Sequence, residues 1–136
     1  MAATLHITPY MTLQFVDRGR THEGVDCYGL AYLINREQLG RDVPSYTEAY
    51  VTCHDSQEIA SIIQREQVKT WEPITPDAVQ PGDLVVLRIL GHPWHCGVML
   101  SATKFLHIER GANVSQDCVE SLRWKRRVEG FYRWKS

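Results

Sequence analysis

The run Leu84-Val85-Val86-Leu87-Arg88-Ile89-Leu90, launched by Pro81-Gly82-Asp83, constrains the fold of this chain more than any other stretch. A Pro-Gly pair favours a turn. The run behind it is rich in β-branched and apolar residues, the pattern of a buried strand. The chain after it reads as partners for that strand. His95–Leu100 and Phe105–Glu109 read as two strands joined by Ser101-Ala102-Thr103-Lys104, with Gly91-His92-Pro93-Trp94 as the loop before them. Val114 begins a short further strand, and Gly130–Trp134 forms a last one.

The first half has a different period. Leu30, Leu33 and Ile34 recur at helical spacing, predicting a helix from Cys27 to about Leu39 that Gly40 ends in the left-handed conformation. Asp26 is a good N-cap, because its carboxylate accepts from backbone N–H groups with no partner inside the helix. Asp55-Ser56-Gln57-Glu58 reads as a capping box, and Ile59, Ile62 and Ile63 give a second helix ending near Lys69. Residues 1–26 read as a helical or extended opening followed by a polar loop, Asp17–Gly24. Ile74–Gln80 reads as a polar connection. Helices first and an antiparallel sheet second predict an α+β fold, with the sheet packed on the Cys27 helix. At 136 residues the expectation is one domain, 1–136.

Composition removes several classes. No apolar run approaches the roughly 20 residues a membrane-crossing helix needs, so no membrane span is expected. The start, Met1-Ala2-Ala3-Thr4-Leu5-His6, lacks the basic segment and apolar core of a secretory signal. The expectation is a cytosolic product that something else must deliver. Cysteines at 27, 53, 96 and 118 form no C-x-x-C pair, which argues against a structural metal site. A disulfide framework does not suit a chain of this size without a signal. Neither metal nor cofactor is expected. Arg123, Lys125, Arg126, Arg127, Arg133 and Lys135 against Glu129 make residues 121–136 net +5, so the overall −1 leaves about −6 for the rest. A basic, aromatic tail with Trp124, Phe131, Tyr132 and Trp134 could suggest nucleic acid. With no glycine–arginine repeat and no nucleic-acid motif, it reads instead as a terminal strand with solvated cations.

One cysteine used for chemistry, with the others as core filler, is the simplest account. Cys27 sits at the first helical position, where unpaired amides and the helix dipole favour negative charge. The thiolate is the nucleophile, and a helix N-terminus with an imidazolium nearby lowers a cysteine pKa. Such a thiol needs a base within reach, and the base needs an orienting group on its other nitrogen. In His95-Cys96-Gly97-Val98-Met99-Leu100, His95, Gly97 and Met99 share one face, while Cys96, Val98 and Leu100 turn toward the helix. A three-residue loop, Ser101-Ala102-Thr103, would set His107 opposite Gly97 and diagonal to His95, within reach of its ring. A two-residue loop would put the histidines on opposite faces. His92, in a loop beside Pro93, is the rival base.

Taken together, Gly24-Val25-Asp26-Cys27-Tyr28-Gly29-Leu30, Pro81-Gly82-Asp83-Leu84-Val85, His95-Cys96-Gly97-Val98 and Phe105-Leu106-His107 resemble the NlpC-type cell-wall cysteine peptidases, a papain-like family. The likeness spans roughly residues 13–134. It is closer to the branch found in tail-tip assembly proteins of long-tailed bacteriophages, through Phe15-Val16-Asp17-Arg18-Gly19-Arg20 and Trp124-Lys125-Arg126-Arg127-Val128-Glu129-Gly130-Phe131-Tyr132-Arg133.

The resemblance implies hydrolysis of peptide bonds in the peptidoglycan stem. Cys27 would be the nucleophile, His95 the base and His107 the group that orients it. The Cys27 backbone N–H, behind its Asp26 cap, would donate to the oxyanion. It also implies a virion location at the phage tail tip, with other tail-tip proteins as partners. The chain would be made in the host cytoplasm and act in the host envelope. Candidate substrate contacts are Phe15, Asp17 and Trp94. Arg18, Arg20 and the tail cations read as solvated. Many members carry a tyrosine twelve residues before the cysteine, and Phe15 stands there without a hydroxyl. A second reading follows, a structural tail-tip or wall-binding module with weak or no hydrolysis.

Overall fold

The computed structural model describes residues 4–47 and 70–135, the side chain of Trp94 excepted. The second helix expected over 55–69, with its capping box, lies outside the described residues, as do Cys53 and His54. A 3₁₀ turn at Thr8–Tyr10 leads to β1 (Arg20–Thr21), β2 (Gly24–Val25) and helix α1 (Cys27–Leu39). Then come β3 (Trp71–Ile74), a 3₁₀ turn at Pro76–Ala78, β4 (Leu84–Ile89), β5 (His92–Met99), β6 (Lys104–His107), β7 (Ser115–Cys118) and β8 (Val128–Trp134). Strands β3 to β8 form one antiparallel sheet in the order β3-β8-β4-β5-β6-β7. One α-helix is present among the described residues, packed on the sheet mainly through β5.

The buried-type run behaves as read. In β4, Leu84 and Val86 face α1 together with Cys96, Val98 and Leu106, meeting Tyr28, Leu30, Ala31 and Ile34. Val85 and Leu87 face the other way, into a second core with Met99, Phe105, Phe131 and Trp124. Leu84 through Leu87 are all fully buried, as a strand with apolar cover on both faces requires.

The Pro81-Gly82-Asp83 turn ties helix to sheet. The buried Asn35 amide of α1 donates to the Gly82 carbonyl at 3.1 Å and to the Ala31 carbonyl at 2.8 Å. Gly82 takes φ +95°, and a Cβ there would lie 2.3 Å from Leu39 Cδ1, so only glycine fits. Asp83, with no exposed surface, accepts from the Gln80 N–H at 2.7 Å and from two nitrogens of Arg133 at 3.0 and 2.8 Å.

Several sequence expectations need correction. The opening segment forms a 3₁₀ turn around Pro9 and the short β1–β2 hairpin, because no run there is long and periodic enough for an α-helix. His92–Trp94 belong to β5, not to a loop. A two-residue turn at Leu90-Gly91, with φ +52° and +80°, closes the β4–β5 hairpin early, the primed turn geometry that suits strand twist. Trp71–Ile74 form a strand, although Pro73 argues against one. β3 is the sheet's edge, where a missing N–H is tolerated. The short strand expected from Val114 begins one residue later, at Ser115. Arg133 is an ion-pair partner of a buried carboxylate rather than a solvated cation. Trp124 lies in the turn before β8, fully buried.

Candidate active site

Asp26 caps α1 as expected, accepting from the Gly29 N–H at 2.7 Å with its backbone extended, and Cys27 is the first helical residue. The same carboxylate oxygen takes a 2.8 Å ion pair from Arg20. Arg20 also donates to the carbonyls of Gly19 and Ser45. Arg20 is therefore a buried tie for the cap, neither solvated nor free for substrate. Gly29 explains part of the local motif. A Cβ there would lie 2.0 Å from the Gly19 carbonyl oxygen and 3.1 Å from Asp26 Oδ1. Gly29→Ala is expected to push the Arg20 loop off the helix start and destabilise the fold by about 2 kcal/mol, as overpacking of a tight contact does. A urea melt reads it.

The hairpin between β5 and β6 holds three loop residues. Val98 pairs with Leu106 and Met99 with Phe105, and the Leu100 N–H donates to the Lys104 carbonyl at 2.8 Å. Continued, that register sets His107 opposite Gly97. Gly97 leaves the space: a Cβ there would lie 2.8 Å from both the Leu106 carbonyl oxygen and a Phe105 ring carbon. His95 and His107 consequently share a face, with His95 Nε2 at 2.8 Å from His107 Nδ1. His95 is 7 % exposed and His107 1 %. His92 is exposed at the far end of β5, opposite Ile89 and three residues from His95. It is poorly placed as a base.

Cys27, 3 % exposed, meets the strand at Cys96 and His95, and its thiol hydrogen-bonds both. Its pKa falls to about 6. The hydrogen bond from Cys96 is the largest cause, and the His95 hydrogen bond and positive charge add to it. Burial and the Asp26 carboxylate act in the opposite direction. Cys96 is pushed well up by that same contact and by burial. Of the two thiols, Cys27 is the one that ionises.

Two residues of this cluster escaped the sequence reading. Asp117 of β7 accepts from or shares a proton with His107 Nε2 at 2.7 Å. Asp117 pairs with Phe105 across the ladder, and Ser115 pairs with His107, so Asp117 lies diagonal to His107 on its face. Trp124 closes the opposite side, stacked on His95 at 6.0 Å and edge-on to His107 at 5.4 Å. Arg123 lies over Trp124 at 4.6 Å and donates to Glu109 at 2.7 Å. A short strand is expected from Val114, but nothing in Ser115-Gln116-Asp117-Cys118 says which strand it pairs with or that Asp117 meets a histidine, and Trp124 reads as part of a basic tail.

Phe15 and Asp17 have contacts of their own. Phe15 pairs with Val25, two residues before Cys27, and its half-buried ring lies 5.9 Å from the Arg110 guanidinium. It lines a cavity of about 250 Å³ with Gln14, Gly111, Ala112 and Asn113. Asp17 is exposed and ion-paired to Arg110 at 3.2 Å. The Trp94 side chain lies outside the described residues. His95, His107 and Glu109 place ligand-type atoms within 4.8 Å of one another. The facing histidine nitrogens, however, are already engaged with each other.

The model of the NlpC/P60 family matches residues 13–133. The chain is 27% identical over 109 residues to the murein DD-endopeptidase MepS/murein LD-carboxypeptidase of Escherichia coli, in strain K12 and in O157:H7. That match takes in 80% of this chain and 49% of the relative, so the chain spans about half the length of the relatives it matches. Among solved structures, it is similar to the NlpC/p60 domain of the peptidoglycan hydrolase SagA, with a TM-score of 0.57 and 19% identity over 90% of this chain and 87% of that one. A lipoprotein-like protein of the NLP/P60 family from Staphylococcus aureus Mu50 gives a TM-score of 0.60 and 19% identity, over 91% and 37%. At that identity the likeness is one of fold. It is the α+β arrangement expected, with a helix on a large antiparallel sheet.

Proposed function

The chain belongs to the NlpC/P60 family, and on that premise we propose that it is a cysteine peptidase that cleaves peptide bonds of peptidoglycan. The observation that carries the reading is the junction of Cys27, at the start of α1, with His95 and His107 on the adjacent strands. A thiol that ionises near pH 6 beside an imidazole can attack a carbonyl carbon at neutral pH. The Cys27 backbone N–H, at the helix start, donates to the oxyanion. His95, having taken the thiol proton, returns it to the leaving amine. Water then attacks the thioester, His95 takes its proton, and the acid product leaves with Cys27 regenerated. His107, held against His95 at 2.8 Å, keeps the ring in place. Relatives that act on murein and peptidoglycan support the substrate class.

The finer reading is a module of a bacteriophage tail tip that opens the host wall during entry. Its support is the sequence likeness of residues 15–20 and 124–133 to that branch. Phe15 favours the structural alternative, because it offers no hydroxyl where many family members carry a tyrosine.

Incubation with purified muropeptides separates these readings. New amine termini are expected with the wild-type chain and none with Cys27→Ala. No cleavage by the wild type would overturn the peptidase reading and leave the wall-binding one. Detection of the chain in purified virions would support the tail-tip location, and its absence from them would end that part of the proposal.

A further inference from the structure

The two imidazoles and Asp117 form a line of short contacts whose protons can be assigned from chemistry alone. His107 Nε2 lies 2.7 Å from Asp117 Oδ2. An ionised carboxylate only accepts, so the proton in that contact sits on His107 Nε2. A neutral imidazole carries one N–H, which leaves His107 Nδ1 bare. His95 Nε2, 2.8 Å away, must then be the donor. Neutral His95 has its single proton on Nε2, and its remaining nitrogen, Nδ1, is bare and left for Cys27.

We propose that Asp117 is a positioning residue that fixes the tautomer of both histidines, so that His95 presents an unprotonated Nδ1 to the Cys27 thiol. Its catalytic consequence rests on the peptidase reading; the tautomer assignment does not. The proton that leaves Sγ goes to Nδ1 and makes His95 an imidazolium, with both N–H groups occupied. The carboxylate faces that charge through His107. Without an acceptor beyond His107, the proton of that ring can sit on Nδ1 instead. His95 Nε2 then becomes the acceptor, its proton moves to Nδ1, and the base is lost. A carboxylate orienting an imidazole acts in this way in serine peptidases, here with one more ring in the line.

The surroundings bear this out. Ser115 Oγ is 3.5 Å from His107 Nε2, at the limit of contact, and Glu109 is 3.8 Å from Nδ1. Neither replaces Asp117. Arg123 faces both carboxylates, at 2.7 Å from Glu109 and 4.0 Å from Asp117. Phe105 and Trp124 are uncharged walls. On the other side of His95 stand Cys27 with Cys96, and Asp26 behind them. Burial and the neighbouring His95 charge hold the His107 pKa below its ordinary value, so this ring is neutral at neutral pH.

The test is ¹⁵N-labelled full-length chain, with long-range ¹H–¹⁵N correlation to read the tautomers. Wild type is expected to show Nε2–H on both His95 and His107. Asp117→Asn keeps the size but is neutral and can donate as well as accept. Its histidines should become tautomer mixtures, and the pH midpoint for Cys27 alkylation should rise. Muropeptide cleavage should fall about 10²- to 10³-fold in kcat with little change in KM. Asp117→Glu should restore the wild-type tautomers and most of the rate. Both histidines holding Nε2–H in Asp117→Asn would overturn the proposal, whatever the rate does. A tautomer change in Asp117→Asn, with a wild type that cleaves no muropeptide, would uphold the relay and overturn the peptidase reading alone.

Discussion

His95→Gln is expected to reduce muropeptide cleavage by roughly 10⁴-fold or more, close to the loss from removing Cys27 itself. Nucleophile and base act as a unit, so losing either forfeits nearly all that the pair supplies. The same variant has a second readout that needs no substrate. Wild-type Cys27 should be alkylated with a midpoint near pH 6. The His95 hydrogen bond and charge both lower that midpoint, so their removal must raise it toward the ordinary thiol value of about 8.5. It should stop short of that value, because the Cys96 hydrogen bond, the larger cause of the depression, remains. An iodoacetamide rate–pH profile with the midpoint still at about 6 would show that His95 does not act on Cys27.

The largest loss of stability is expected from Arg133→Met. Asp83 has no exposed surface, and among the described residues Arg133 supplies two of the three hydrogen bonds that its carboxylate accepts. Methionine fills similar space and leaves the buried carboxylate, among the described residues, with the Gln80 N–H as its one hydrogen-bond donor and the charge of Arg41 nearby. Removing one partner of such a pair costs about 3 kcal/mol or more, which lowers Tm by roughly 10 °C in a domain of this size. Asp83→Asn should cost less, since the stranded group is then Arg133, whose side chain is 26% exposed and can be solvated. Calorimetry of the two variants checks the order. Equal losses would mean that the burial of Asp83 is not what sets the cost.

Much of this was legible in the chain because it depends on local pattern. The α1 start needs only Asp26 and a periodic stripe, and its end needs only Gly40. The β5–β6 register follows from a three-residue loop, and with it the meeting of His95 and His107. Asp117 was not legible. A short strand from Val114 is expected, but β7 has two exposed and two half-buried residues and no apolar alternation, so only its pairing with β6 puts Asp117 on the face of His107. Trp124 hid for a related reason. Its neighbours are cations, and nothing local says that the 121–127 turn folds back over the histidines. Arg133 likewise reads as surface charge, because the Asp83 carboxylate that holds it lies fifty residues earlier, whereas Arg20 meets Asp26 only six residues on, across the β1–β2 turn.

The sheet order also bears on how the chain is made. Among the described residues β8 is the last of eight strands in chain order, yet it lies between β3 and β4 and is the only strand paired with β3. While residues up to 127 emerge from the ribosome, β3 and one side of β4 lack the β8 strand that they pair with among the described residues. Assembly of the sheet thus waits for β8, and the contacts it then closes, such as Trp71 with Trp134 and Asp83 with Arg133, span long stretches of sequence. Closures of that kind slow folding. β3 and the open side of β4 therefore stay without β8 until residues 128–134 have been made.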